Sequence, residues 1–154
     1  MSRHSCKVAL VPSAFFDRTS VRDILSRTVR LDQEDKVECI SLPEFSAELV
    51  YSFSGSEEPE LYHVLKALSG LPDHNRIVAS YSEEVLSLAI AQGGNLLLAN
   101  TFKASDFTTA EYFIFMAVKK LQLNPAVSTI HFLTSLSGEE EMSLYRYFKS
   151  VEQL

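Results

Sequence analysis

Glycine is scarce in this chain. It occurs 5 times in 154 residues, where ordinary usage near 7% would give roughly 11. A turn that cradles phosphate brings several backbone N–H groups onto one anion, an approach so close that it leaves no room for a Cβ. Few stretches here can build one. Cysteine is scarcer: Cys6 and Cys39 stand apart inside apolar runs, with no Cys or His at the spacing of a metal site. They read as small core residues of a reducing compartment. Basic residues number 14 against 20 acidic ones, for a formal net charge of −6. The densest basic cluster, Arg22, Arg27 and Arg30, is interleaved with Asp23 and Asp32, which leaves no phosphate-binding stripe for nucleic acid. Long apolar runs are also missing. Val8 to Val11 stops at Pro12, too short for the core of a signal peptide. The longest uncharged stretch, Val85 to Phe102, is broken by Gly93, Gly94, Asn95 and Asn100, so no membrane span is expected. The expectation is a cytoplasmic protein that binds neither membrane nor nucleic acid.

What is present is core. With 46% hydrophobic residues, a chain of this length buries roughly 70% of the surface its unfolded form exposes. Cys6 to Val11 suits a buried strand ended by Pro12, and Thr19 or Ser20 is placed to cap a short helix through Val21, Ile24 and Leu25. Val37 to Leu42 is a second strand. In Ser46 to Phe53, Ala47, Leu49, Tyr51 and Phe53 alternate with Glu48, Val50 and Ser52, the pattern of a half-buried strand. After the polar run Ser54 to Glu58, Pro59 opens a helix with Leu61, Val64, Leu65 and Leu68 on one face, stopped by Gly70 and Pro72. A boundary at Leu71 to Asn75 gives two units, residues 1–72 and 76–154.

The second unit reads as strand, strand, strand, helix, strand, helix. Arg76 to Tyr81 is the first strand, and Val85 to Ala91 pairs with Asn95 to Phe102 across Gly93 and Gly94, a two-residue loop expected to be type I′ with both glycines left-handed. Thr108 and Glu111 suggest a capping box for a largely buried helix from Phe107 to Leu121. Thr129 to Thr134 follows as a strand, with His131 alternating outward from Ile130 and Phe132. Glu139 to Val151 closes the chain as a helix with Met142, Tyr145 and Phe148 inward, its acidic first turn favoured by the helix dipole.

That order opens a ribonuclease-H-like lobe, the unit doubled in actin, sugar kinases and the heat-shock ATPases. At Leu10, Val11, Pro12 and Phe16, at Gly94 to Phe102 (GNLLLANTF), at Asp106 to Tyr112 and in spacing through Leu133 to Tyr145, the chain resembles an uncharacterised bacterial family with an actin-like ATPase fold. The implied fold class is α/β: a ribonuclease-H-like mixed sheet with flanking helices and an incomplete first lobe, because the family's longer members begin with a further hairpin. Actin-like ATPases hold phosphate in a strand-to-strand turn carrying aspartate and glycines, and adenosine after a strand ending in paired glycines. The matching positions are Ser80 to Val85 (SYSEEV) and Ser135 to Gly138 (SLSG). The resemblance therefore marks Ser80, Ser82, Glu83 and Glu84 as a degenerate phosphate loop, and Ser137 and Gly138 as a degenerate adenosine loop.

The chemistry at these positions argues against turnover. The SYSEEV turn has no glycine, and its two glutamates repel phosphate. Two-metal nuclease chemistry needs several carboxylates on the first and fourth strands and the first helix, yet Arg76 to Tyr81 and Thr129 to Thr134 carry none. No histidine (His4, His63, His74 or His131) stands at a defensible spacing from a nucleophile. Asn100, Lys103 and Asp106 form a polar cluster at a strand-to-helix junction, where α/β folds place sites. The reading is a non-catalytic binding or scaffolding protein without cofactor. The alternative is an atypical nucleotide-binding actin-like ATPase or kinase-like protein. Ser46 to Phe53, with one charge and no proline or lysine, is the expected exposed sheet edge, through which the chain pairs with another protein or a second copy.

Overall fold

The computed structural model describes residues 2–3, 7–31, 33, 35–53 and 58–154; Cys6, His4 and most of the Ser54 to Glu58 run lie outside them. In the first half, β1 (Ser2–Arg3) pairs in parallel with β5 (Glu58–Pro59). Three longer strands, β2 (Val8–Pro12), β3 (Lys36–Leu42) and β4 (Ala47–Phe53), form an antiparallel sheet in the order β2-β4-β3. This corrects the expected edge: β4 is the central strand, with Leu49 opposite both Leu10 and Ile40. It is also covered on both faces. Leu49 joins the core on one side, and Val50 is wholly buried on the other, where α1 (Val21–Ser26) packs and buries Leu25. Ser20 stands at the N-cap of α1 as expected but makes no side-chain cap hydrogen bond; the capping side chain is Asp17, whose carboxylate accepts from the Thr19 N–H and begins the short 3-10 turn that leads into the helix.

Helix α2 (Glu60–Ser69) follows β5, and its four apolar positions, Leu61, Val64, Leu65 and Leu68, are all buried. It lies against β6 (Asn75–Ser82) and β7 (Val85–Gln92). These two strands and β8 (Asn95–Lys103) form an antiparallel meander. The chain then runs through α3 (Phe107–Lys120), β9 (Thr129–Phe132), α4 (Gly138–Tyr145) and β10 (Ser150–Gln153). The strand order is β10-β9-β6-β7-β8, with β9 parallel to β6 and β10 parallel to β9. Three antiparallel strands followed by two parallel ones reached through helices is the full ribonuclease-H-like arrangement.

The last strand is a correction, since the closing helix was expected to reach Val151. It stops at Tyr145 because Lys149 donates its N–H to the carbonyls of Pro125 and Ser128, and Leu154 donates to Phe132, which draws the chain alongside β9. Leu144 and Phe148 are buried, whereas Met142 and Tyr145 are exposed.

Every residue from Val85 to Ala91 is buried, and the side chains divide by size. Leu86, Leu88 and Ile90 pack with Ala110, Ile114 and Val118 of α3, while Ala89 and Ala91 face the α2 side. Small residues there let a helix lie close to the strand. The β7–β8 turn is left-handed at Gly93 alone, φ 58°, so glycine at the first central position makes it a type II′ arrangement rather than the expected I′. The α3 cap is Asp106, not Thr108, and Glu111 accepts from the Ser143 hydroxyl at 2.8 Å instead of closing a capping box.

Candidate functional site

The β6–β7 turn is the position matched to a phosphate loop. Ser82 pairs with Val85, leaving Glu83 and Glu84 as the two central residues, at φ 52° and 61°. Both are left-handed, the backbone of a type I′ turn, which prefers Asn-Gly and costs an ordinary L-residue roughly 1–2 kcal/mol. Long strands on either side fix the register and impose it. Ala104 donates its N–H to the Glu84 carbonyl at 2.9 Å, which ties the turn to the end of β8. Glu83, Glu84, Lys103, Ser105 and Thr109 line an open depression of about 460 Å³.

Next to it, Asp106 accepts from the Thr109 N–H at 2.8 Å and from its hydroxyl at 2.7 Å. These hydrogen bonds, the backbone one foremost, hold its carboxyl below the usual aspartate range. Tyr81 donates its hydroxyl to the Ala104 carbonyl at 2.7 Å and packs edge-on against Phe107. Burial pushes the Tyr81 phenol up, and the carboxylates of Asp106, Glu84 and Glu140 push it further. Three carboxylates, Asp106, Glu84 and Glu140, thus gather near Tyr81 at this end of the sheet, at the position matched to a phosphate loop.

The other matched positions are occupied by local structure. Ser137 caps α4: its hydroxyl accepts from the Glu140 N–H at 3.1 Å, and the Glu140 carboxylate accepts from the Ser137 N–H at 2.8 Å. A Cβ at Gly138 would meet nothing within 4 Å, so no close approach requires glycine there. Ser80 is wholly buried, opposite Ser87, and does not line the depression.

The polar trio is divided. Lys103 lines the turn depression and Asp106 caps α3 beside it, but Asn100 lines a separate groove with Phe102, Met116 and Lys120, its amide oxygen accepting from the Thr101 N–H. His131 is a further correction. It is 2% exposed rather than outward, because α2 and the three-stranded sheet cover the face of the five-stranded sheet to which it points. Its Nε2 lies 3.2 Å from the Glu152 carboxylate on the adjoining β10. Among the described residues no three His, Cys, Asp or Glu side chains come together as metal ligands. The role of Ser87 and the burial of His131 escaped sequence reading, since alternation alone does not reveal that a second layer covers this face; Tyr81 lies on the α3 side, and alternation could not show its bond to Ala104.

The fold as a whole resembles a protein from Bacteroides thetaiotaomicron VPI-5482 described as having an actin-like ATPase fold and unknown function. The TM-score is 0.79 at 16% identity, over 97% of this chain and 65% of that one. At that identity the likeness shows the fold, and this chain spans 65% of the other protein's length. No curated protein matches the sequence. Residues 3–151 match the family described as Protein of unknown function (DUF3822), and the chain belongs to that family.

Proposed function

We propose that this protein is a non-catalytic binding module built on an actin-like fold. The observation that carries the reading is the Glu83–Glu84 turn. At the place matched to a phosphate cradle, two carboxylates project from a left-handed backbone without glycine, faced by the single cation Lys103 in the depression they line. Carboxylates there repel a nucleotide's phosphates and the Cβ atoms prevent the close backbone approach. The SLSG positions support the same reading, since the Ser137 hydroxyl and the first turn of α4 satisfy one another. A binding role leaves the sheet edges and the exposed apolar side chains beside them as the working surface.

Isothermal titration of the full chain with ATP and magnesium tests this. The expected result is no saturable heat at millimolar nucleotide. Saturable binding at micromolar nucleotide overturns the reading in favour of an atypical nucleotide-binding protein.

A further inference from the structure

We propose that two copies of this chain associate through β8. The two strands pair antiparallel about a two-fold axis near Ala99, joining two five-stranded sheets into one. The inference rests on the binding-module reading only in treating a sheet edge as a working surface.

β8 is the last strand of its sheet, so alternate backbone N–H and C=O groups along it pair with no described strand, although β2 lies close to its first residues, Asn95 and Leu96. Such an edge is a template for another strand unless charge, proline or brevity protects it. Among the described strands the other edges are short or protected, β1 and β5 having two residues each. β10 has four residues and carries Glu152, β2 has only five residues and loses the N–H of its last, Pro12, and β3 carries Lys36 and Glu38. β8 has no proline, and its one charge is the terminal Lys103; the bulge at Ile90/Ala91 touches only its first residues.

Beside this edge runs an apolar groove of about 450 Å³ between β8 and α3, lined among others by Leu98, Phe102, Phe113, Met116 and Leu121. Met116 is 48% exposed. A two-fold axis perpendicular to the sheet keeps both α3 helices on one face, so the two grooves meet and each covers the other's Met116.

Charge selects a second copy as the occupant. Lys120 lines the groove with Leu97 and Leu98, near the start of β8, and Lys119 is its neighbour. The far end carries Glu83, Glu84 and Asp106 against one lysine, Lys103. Antiparallel pairing sets the start of one strand against the end of the other, so the lysines of each copy meet the acids of its mate. Parallel pairing would set like ends together. Two-fold pairs are also the commonest oligomers.

Sedimentation equilibrium of the full chain across a concentration series is expected to show a mass rising from 17.3 kDa toward twice that value. Lys119→Glu with Lys120→Glu, and separately Glu83→Lys with Glu84→Lys, should each weaken the dimer at least roughly tenfold. An equimolar mixture of the two variants should restore it. As a measurement independent of those variants, Ala99→Cys in a Cys6→Ser, Cys39→Ser background should form a reducible cross-linked dimer under mild oxidation, because opposed strand residues lie about 4.5–5.5 Å apart. A mass fixed at 17.3 kDa at every concentration overturns the proposal, as does a dimer that neither responds to the charge variants nor cross-links at position 99. A monomer that binds no nucleotide would sink the dimer and leave the proposed function standing. A dimer that binds ATP would do the reverse.

Discussion

Ser80 and Ser87 face one another across β6 and β7, directly opposed in the antiparallel register and both wholly buried. Among the described residues neither hydroxyl meets a hydrogen-bond partner. A buried hydroxyl left unpaired costs roughly 1–3 kcal/mol. Their neighbours on this face, Val78 and Ala89, belong to the core beneath α2, so the pair is a polar island in an apolar layer.

Ser80→Ala and Ser87→Ala should therefore each stabilise the fold by up to about 1 kcal/mol, read as a higher urea midpoint at unchanged slope. A loss exceeding about 1 kcal/mol would mean that the hydroxyls hold something the fold needs.

The β6–β7 turn offers a second gain. Glu83 and Glu84 both have positive φ, and the pair Asn-Gly suits that backbone. Glu83→Asn combined with Glu84→Gly should raise stability by about 1–2 kcal/mol. An unchanged or lower melting temperature would show that the turn is not left-handed in solution.

The Asp106 cap makes a pH-dependent contribution whose sign is fixed by geometry. Hydrogen bonds from Thr109 hold the folded-state value below the ordinary 3.8. A carboxyl with a depressed folded value stabilises the fold above its unfolded value, and that contribution is lost as pH falls through the folded one. In urea titrations between pH 5 and the acid limb, Asp106→Asn should keep the cap, since asparagine also accepts from the backbone, but lose this part of the pH dependence. Asp106→Ala should lose both. Equal acid sensitivity in all three proteins would dismiss the cap as its source.

Ile114 tests the packing of α3. It is wholly buried against the large side chains of β7, so Ile114→Ala should cost about 2–5 kcal/mol. A cost below about 0.5 kcal/mol would mean the helix presents another face to the sheet.

Some of this structure was legible in the sequence because the signals were local. The β7–β8 hairpin announces itself by Gly93 and Gly94 between alternating apolar residues, and α2 by four leucine and valine positions at helical spacing. β10 was not legible. It is four residues long with only Val151 buried, and it is positioned by backbone bonds from Lys149 and Leu154 to distant carbonyls. Nor was the central place of β4, because alternation cannot show that α1, which buries only Leu25, covers the second face. At the candidate site the acidity of Glu83 and Glu84 was plain from composition. Their left-handed backbone was not, since glutamate carries no turn signal and the register of two long strands imposes it.

His131 and Glu152 give the last prediction. They are register partners on the parallel strands β9 and β10, one ring nitrogen 3.2 Å from the carboxylate. The imidazole is 2% exposed, and its Nδ1 is buried without a partner among the described residues. The Glu152 carboxylate is thus the polar side-chain group that the described residues place against this ring. Glu152→Ala would remove the carboxylate beside Nε2 while Nδ1 stays buried, and an unpaired buried group costs roughly 1–3 kcal/mol. Glu152→Gln keeps an acceptor in place and should lose less. Because β10 is a short edge strand tied to β9, the loss should appear first as faster amide exchange at Val151 and Gln153, ahead of any change at β6 and β7. Uniformly faster exchange across all five strands would show that His131 and Glu152 support the whole lobe rather than its last strand.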